Sequence, residues 1–131
     1  MEGDIPGRFT IIVDGRPVAN PHENGERVFQ AQSGVENSDA AVFELHDGHL
    51  VSGDWALGRY RIEDMSLQPK RILWCKREES NELQPVQVEH HGNGPELKFS
   101  GGSLVFLDNR LFVPLIDEGL NQRVEIRPLL F

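Results

Sequence analysis

The sequence predicts an all-β domain containing an internal repeat, on three observations. Apolar and polar residues alternate with a period of two along most of the chain. Asp-Gly and other turn formers interrupt the apolar runs every few residues. Third, a shift of 54 positions carries Phe43–Val51 onto Leu97–Val105 without a gap. The register then holds: Asp54 meets Asp108, Leu57 meets Leu111, Ile62 meets Ile116, Gln68 meets Gln122 and Ile72 meets Ile126.

The first strand is predicted at Phe9, Ile11 and Val13, which alternate until Asp14-Gly15 ends the run. Val42–Leu45 enters Asp47-Gly48, and Leu50-Val51 leaves it. Asp-Gly between apolar runs marks a type I′ hairpin turn, which needs positive φ at both central residues. Further strands are expected at Leu57–Glu63, Arg71–Lys76, Val86–Glu89, Leu97–Ser100, Leu104–Leu107, Arg110–Leu115 and Arg123–Leu129. Only Asp64–Leu67 and Glu78–Leu83 could form helical turns. Ala19–Glu26, Gln32–Asp39 and the charged Lys76–Gln84 read as loops, and His90–Pro95 as a turn.

The repeat copies run about 43–72 and 97–126, and a weaker copy at about 10–40 aligns Asp14-Gly15 with Asp47-Gly48. Three four-stranded copies make a β-trefoil, a small closed barrel without exposed edges. The expectation is therefore one domain over residues 1–131, a small closed barrel, β-trefoil-like if the weaker copy counts, whereas the two clear copies alone would suit a two-fold barrel or sandwich. Phe43, Leu45 and Leu50 should face the core with Leu97, Phe99 and Leu104, and Gly48 and Gly102 should occupy the positive-φ turns.

Thirteen basic residues are scattered among 21 acidic ones, for a net charge of −8. That balance argues against a nucleic-acid partner and against an anionic membrane. The single cysteine, Cys75, excludes an intramolecular disulfide and reads as a buried structural thiol. No apolar run is long enough to span a bilayer, and Met1–Gly7 has no leader pattern. The protein is expected to be cytoplasmic, or secreted with its signal peptide removed.

Candidate ligand-binding residues are Trp55, Asp54, Tyr60, His46 and His49. His46 and His49 flank Asp47-Gly48, so their Cβ atoms should lie about 5 Å apart across the hairpin. Two histidines fall short of the three or four ligands of a zinc site, so no metal or cofactor is expected. His90 and His91, as neighbours on a strand, point to opposite faces. Trp55 beside Asp54 matches the makeup of a sugar site, where a ring stacks on the sugar and a carboxylate takes its hydroxyls. Tyr60 is the nearby second aromatic. Asp54 and Asp108 also suit plain turn roles. The sequence holds no Gly-x-Ser-x-Gly elbow, phosphate loop, His-Glu-x-x-His or dinucleotide turn, so no catalytic residue is assigned.

Between Phe43 and Trp74 the chain carries Phe43-x-Leu45-x-x-Gly48-x-Leu50, then Gly53-Asp54, Leu57-Gly58-Arg59, Glu63-Asp64 and Leu67-x-Pro69-Lys70-x-x-Leu73-Trp74. This stretch resembles a segment of small all-β fungal proteins, many secreted and without assigned function. The resemblance implies a small barrel or trefoil-like protein and brings no catalytic residues.

The expected function is a non-catalytic binding module with a loop-presented site for carbohydrate or a protein partner. The alternatives are a small barrel enzyme using a histidine–carboxylate pair, and a trefoil-type protease inhibitor presenting residues 76–95 or Ala19–Glu26.

Overall fold

The computed structural model describes residues 5, 7–22, 25–92, 94–115 and 122–129. The predicted positions Asn24, Asn93 and Ile116 lie outside these residues. Among the described residues thirteen strands follow in chain order: β1 (Phe9–Val13), β2 (Arg16–Pro17), β3 (Phe29–Gln30), β4 (Glu44–His46), β5 (His49–Ser52), β6 (Trp55–Gly58), β7 (Lys70–Arg71), β8 (Leu73–Lys76), β9 (Gln87–His91), β10 (Gly94–Lys98), β11 (Val105–Leu107), β12 (Arg110–Val113) and β13 (Val124–Pro128). Among the described residues, helical structure is confined to 3-10 turns at Asn37–Asp39 and Arg77–Glu82. The all-β prediction is met. Among the described residues no helix is long and apolar enough to cross a membrane.

The strands form four separate ladders, with orders β13-β1-β2, β10-β9, β11-β12-β7 and β3-β8-β6-β5-β4. These are open sheets, which corrects the expectation of a closed barrel. The physical reason is the shortness of the strands: β2, β3 and β7 hold two residues each, and single bridges such as Phe9 with Phe43 or Val18 with Ser33 join the sheets in place of ladders.

One junction is threefold. The Ala31 amide donates to the Ile72 carbonyl at 2.9 Å, the Ile72 amide to the Leu111 carbonyl at 3.1 Å, and the Leu111 amide to the Ala31 carbonyl at 3.0 Å. This hub joins three segments spaced about 40 residues apart. All three side chains are buried. The shift of 54 instead lays β5 and β6 over β11 and β12, one hairpin onto another.

The hairpin turns follow the sequence closely. Asp47 (φ 51°) and Gly48 (φ 82°) form the predicted turn, as Asp14 (52°) and Gly15 (79°) do. In the second copy the turn falls on Ser100 (54°) and Gly101 (89°), one residue before the predicted Gly102. Gly102 has a different reason to be glycine: a Cβ there would run into Val113 Cγ1. Gly101→Ala, strained only at its backbone with open space around it, should cost about 1 kcal/mol. Gly102→Ala should cost more, about 1–3 kcal/mol, because Val113 must move within the packed core. Urea midpoints of the two variants test that order.

Alternation places Phe9, Ile11 and Val13 in the core, where Phe43 lies parallel to Trp74 at 5.7 Å between ring centres. The main cluster draws on nearly every strand, including Leu50, Leu57, Leu97, Phe99, Leu104 and Leu111. Two sequence readings miss. The strand expected over Leu57–Glu63 stops at Gly58, because Arg59 turns inward and is buried. Asp64–Leu67 forms no helical turn: the Asp64 carboxylate accepts from the Ser66 amide at 3.1 Å and its hydroxyl at 2.7 Å, closing an Asx turn.

Candidate functional site

The hairpin sets His46 opposite His49, as the spacing predicts. Their side chains then part. His46 Nε2 lies 3.4 Å from Glu44 Oε2 on the exposed surface, while His49 Nε2 hydrogen-bonds the Leu83 carbonyl at 3.1 Å. Among the described residues no three His, Cys, Asp or Glu side chains converge as metal ligands. The His46–Glu44 pair, the one histidine–carboxylate contact at the hairpin, is open to water, and neither histidine lines a described cavity. An enclosed acid–base site is therefore not formed there.

Trp55 is 8% exposed. The Lys76 ammonium covers its ring at 4.3 Å, and Phe29 meets it edge-on at 5.2 Å. The ring offers no free face for a sugar to stack on. Asp54 is exposed on the β5–β6 turn, and its carbonyl accepts from the Arg77 amide at 2.8 Å. Tyr60 lies elsewhere, bridged to Leu83, and partial burial with Glu82 beside it raises its phenol pKa. The five predicted site residues thus do not gather into one site. Cys75 is fully buried, and desolvation, with Glu79 and Glu82 nearby, pushes its pKa up to about 11. It is a neutral thiol at physiological pH and a poor nucleophile.

Two other features stand out from the surface. The first is the loop 61–69. Ile62 is 88% exposed, Met65 97% and Leu67 69%. The loop that carries them is anchored at both ends. At its start Arg59, buried, donates to both Glu63 oxygens (2.6 and 3.2 Å) and to the Phe99 carbonyl at 3.1 Å. At its end Lys70, also buried, donates to Asp64 Oδ1 at 2.7 Å and to the carbonyls of Asp64 (3.0 Å) and Ser66 (2.8 Å). Lys70 and Ser66 hold the Asp64 carboxyl down at about 2. Arg61 Nε bonds the Asn81 carbonyl at 2.6 Å, tying the loop to the Arg77–Glu82 turn.

The second is a groove of about 490 Å³ beside the threefold hub, lined among others by Asn20, His22, Gln30, Gln32, Arg71 and Arg110. Sequence reasoning missed both features. The available signal for the loop was apolar residues at 62, 65 and 67 fitting neither a strand nor a helix period.

No family model matches the chain, and neither a characterised protein nor a solved structure gives a significant match. The site is therefore read on its own geometry.

Proposed function

We propose that this protein is a non-catalytic, protein-binding module of trefoil-like, three-copy build that offers loop 61–69 to an apolar cleft on its partner. The three-copy reading is supported by the Ala31–Ile72–Leu111 hub, whose members recur about 40 residues apart. The binding reading is carried by one observation: Ile62, Met65 and Leu67 project into water from a loop whose two anchoring cations are buried. Burying two cations is costly, and exposing three large apolar side chains gains nothing in the isolated chain. A partner that covers the tips would gain their apolar burial. Burying each tip would contribute about 1.5–3 kcal/mol. Pre-fixing the loop removes part of its ordering cost on binding.

A convex loop with apolar tips fits the cleft of an endopeptidase with apolar specificity, so the trefoil-type inhibitor is the specific form of this reading. It moves the contact from residues 76–95 and Ala19–Glu26 to 61–69. The test is a panel of such endopeptidases assayed on chromogenic substrates, with wild-type protein and an Ile62→Ser/Met65→Ser/Leu67→Ser variant. Reversible inhibition that weakens more than tenfold in the triple variant is expected. Equal inhibition by both proteins, none by either, or cleavage of the loop as an ordinary substrate would count against it.

A further inference from the structure

We infer that the groove beside the threefold hub is a binding site for the oxyanion of a small ligand, a carboxylate or a phosphate, held between Arg71 and Arg110. The inference rests on where the basic residues of this acidic chain find partners. Arg8 pairs with Glu44, Arg27 with Glu79 and Glu82, Arg59 with Glu63, and Lys70 with Asp64. Lys98 pairs with Glu96, and Arg123 and Arg127 share Glu125. Arg16 bonds Asn109, Arg61 and Arg77 bond carbonyls, and Lys76 covers Trp55. Among the described residues, Arg71 and Arg110 alone of the basic side chains have no hydrogen bond, ion pair or ring contact. Both line the same groove.

Strand alternation explains why. Ala31, Ile72 and Leu111 point into the core, so their chain neighbours Gln30, Gln32, Arg71 and Arg110 point out, around the hub. The register pairs Arg71 with Phe112. Arg110, two residues earlier on the same face of β12, is the diagonal neighbour, with Cα atoms on the order of 7–8 Å away. Two long guanidinium stems at that separation can close on one oxyanion, each offering a two-pronged donor fork. Gln32 bridges Arg110 through the backbone, and Asn20 and His22 add donors at the rim, where Glu26 also sits. Net charge does not prevent this. At physiological salt the repulsion from distant carboxylates is screened beyond about 8 Å, whereas two guanidiniums in direct contact are not.

Titrations of the intact protein with sodium phosphate and with sodium glucuronate test the site, at fixed ionic strength balanced with chloride. Heat and Trp fluorescence are the readouts, since Trp74 lines the groove. Saturable binding of at least one probe is expected. It should weaken three- to tenfold in Arg71→Gln and in Arg110→Gln, and beyond detection in the double variant. Arg77→Gln, an exposed arginine elsewhere, should leave binding unchanged, and unaltered melting of all variants would exclude misfolding. The stronger probe identifies the phosphate or carboxylate source. Saturation by neither probe, or binding that survives the double substitution, would overturn the assignment.

Discussion

Replacing Trp74 with alanine is expected to remove about 3–5 kcal/mol of stability, the usual cost of deleting a buried large aromatic. Trp74 is 1% exposed and stacks on Phe43, which in turn contacts Phe9 at 6.3 Å. It also carries the β8 register, pairing with Phe29 of β3 and with Leu57 of β6. The cavity would open where three strands and an aromatic stack meet, so collapse of the surroundings can fill little of it. Domains of this kind hold only about 5–15 kcal/mol in total. With a urea slope of about 2 kcal/mol per molar, the midpoint should fall by about 2 M. Trp74→Phe, which keeps a ring against Phe43, should lose less than half as much. Urea unfolding followed by far-UV circular dichroism measures both. A fall of less than about 0.5 M in Trp74→Ala would mean that this stack is not central to the core.

What the sequence reveals and what it hides divide along a physical line. Local chemistry was legible. The alternation of Phe9, Ile11 and Val13 and the positive-φ turn at Asp47-Gly48 are set within a few residues, and so is the pairing of His46 with His49. Properties that depend on distant partners were not. Trp55 sits beside a turn as an exposed aromatic would, but Lys76 and Phe29 arrive from other strands to cover it. Arg71 and Arg110 look like any surface arginines, and only the folded chain reveals that no carboxylate among the described residues reaches them. The apolar spacing of loop 61–69 matches neither a strand nor a helix period; long-range anchors hold it instead.

The repeat shows the same division. The echo at 54 residues is the visible one because it aligns turns, and turn positions tolerate few residue types. The threefold hub joins Ala31, Ile72 and Leu111, three different residues at a spacing of about 40. A core position asks only for an apolar side chain of suitable volume, so identity need not persist there. The stronger sequence signal therefore follows the hairpins, and the three-way hub leaves almost no trace in the residues.

Removing Glu63 should both destabilise the fold and release the proposed binding loop. The Arg59 guanidinium is buried beneath it and donates two hydrogen bonds to Glu63 and one to the Phe99 carbonyl. Glu63→Ala would leave that charge with one neutral acceptor. Stripping a partner from a buried ion pair costs about 3–5 kcal/mol, and the low end applies here because the Glu63 side chain, at 17% exposure, lets water approach. Glu63→Gln, which retains an acceptor oxygen, should recover part of the loss. The double variant Arg59→Met/Glu63→Met should recover more, since neither charge is then desolvated. The second anchor behaves differently with pH. The Asp64 carboxyl is lowered by Lys70 and then by Ser66 from 3.8 to about 2, so its contribution is complete above about pH 5 and fades as pH falls towards 2. At neutral pH, then, Glu63→Ala should free the start of the loop while Lys70 still holds its end. Amide hydrogen exchange should report faster exchange at Arg61 than at Ser66, whose amide stays on the Asp64 carboxylate. Equal protection of Arg61 in wild type and Glu63→Ala would show that the Arg59–Glu63 pair does not hold the loop.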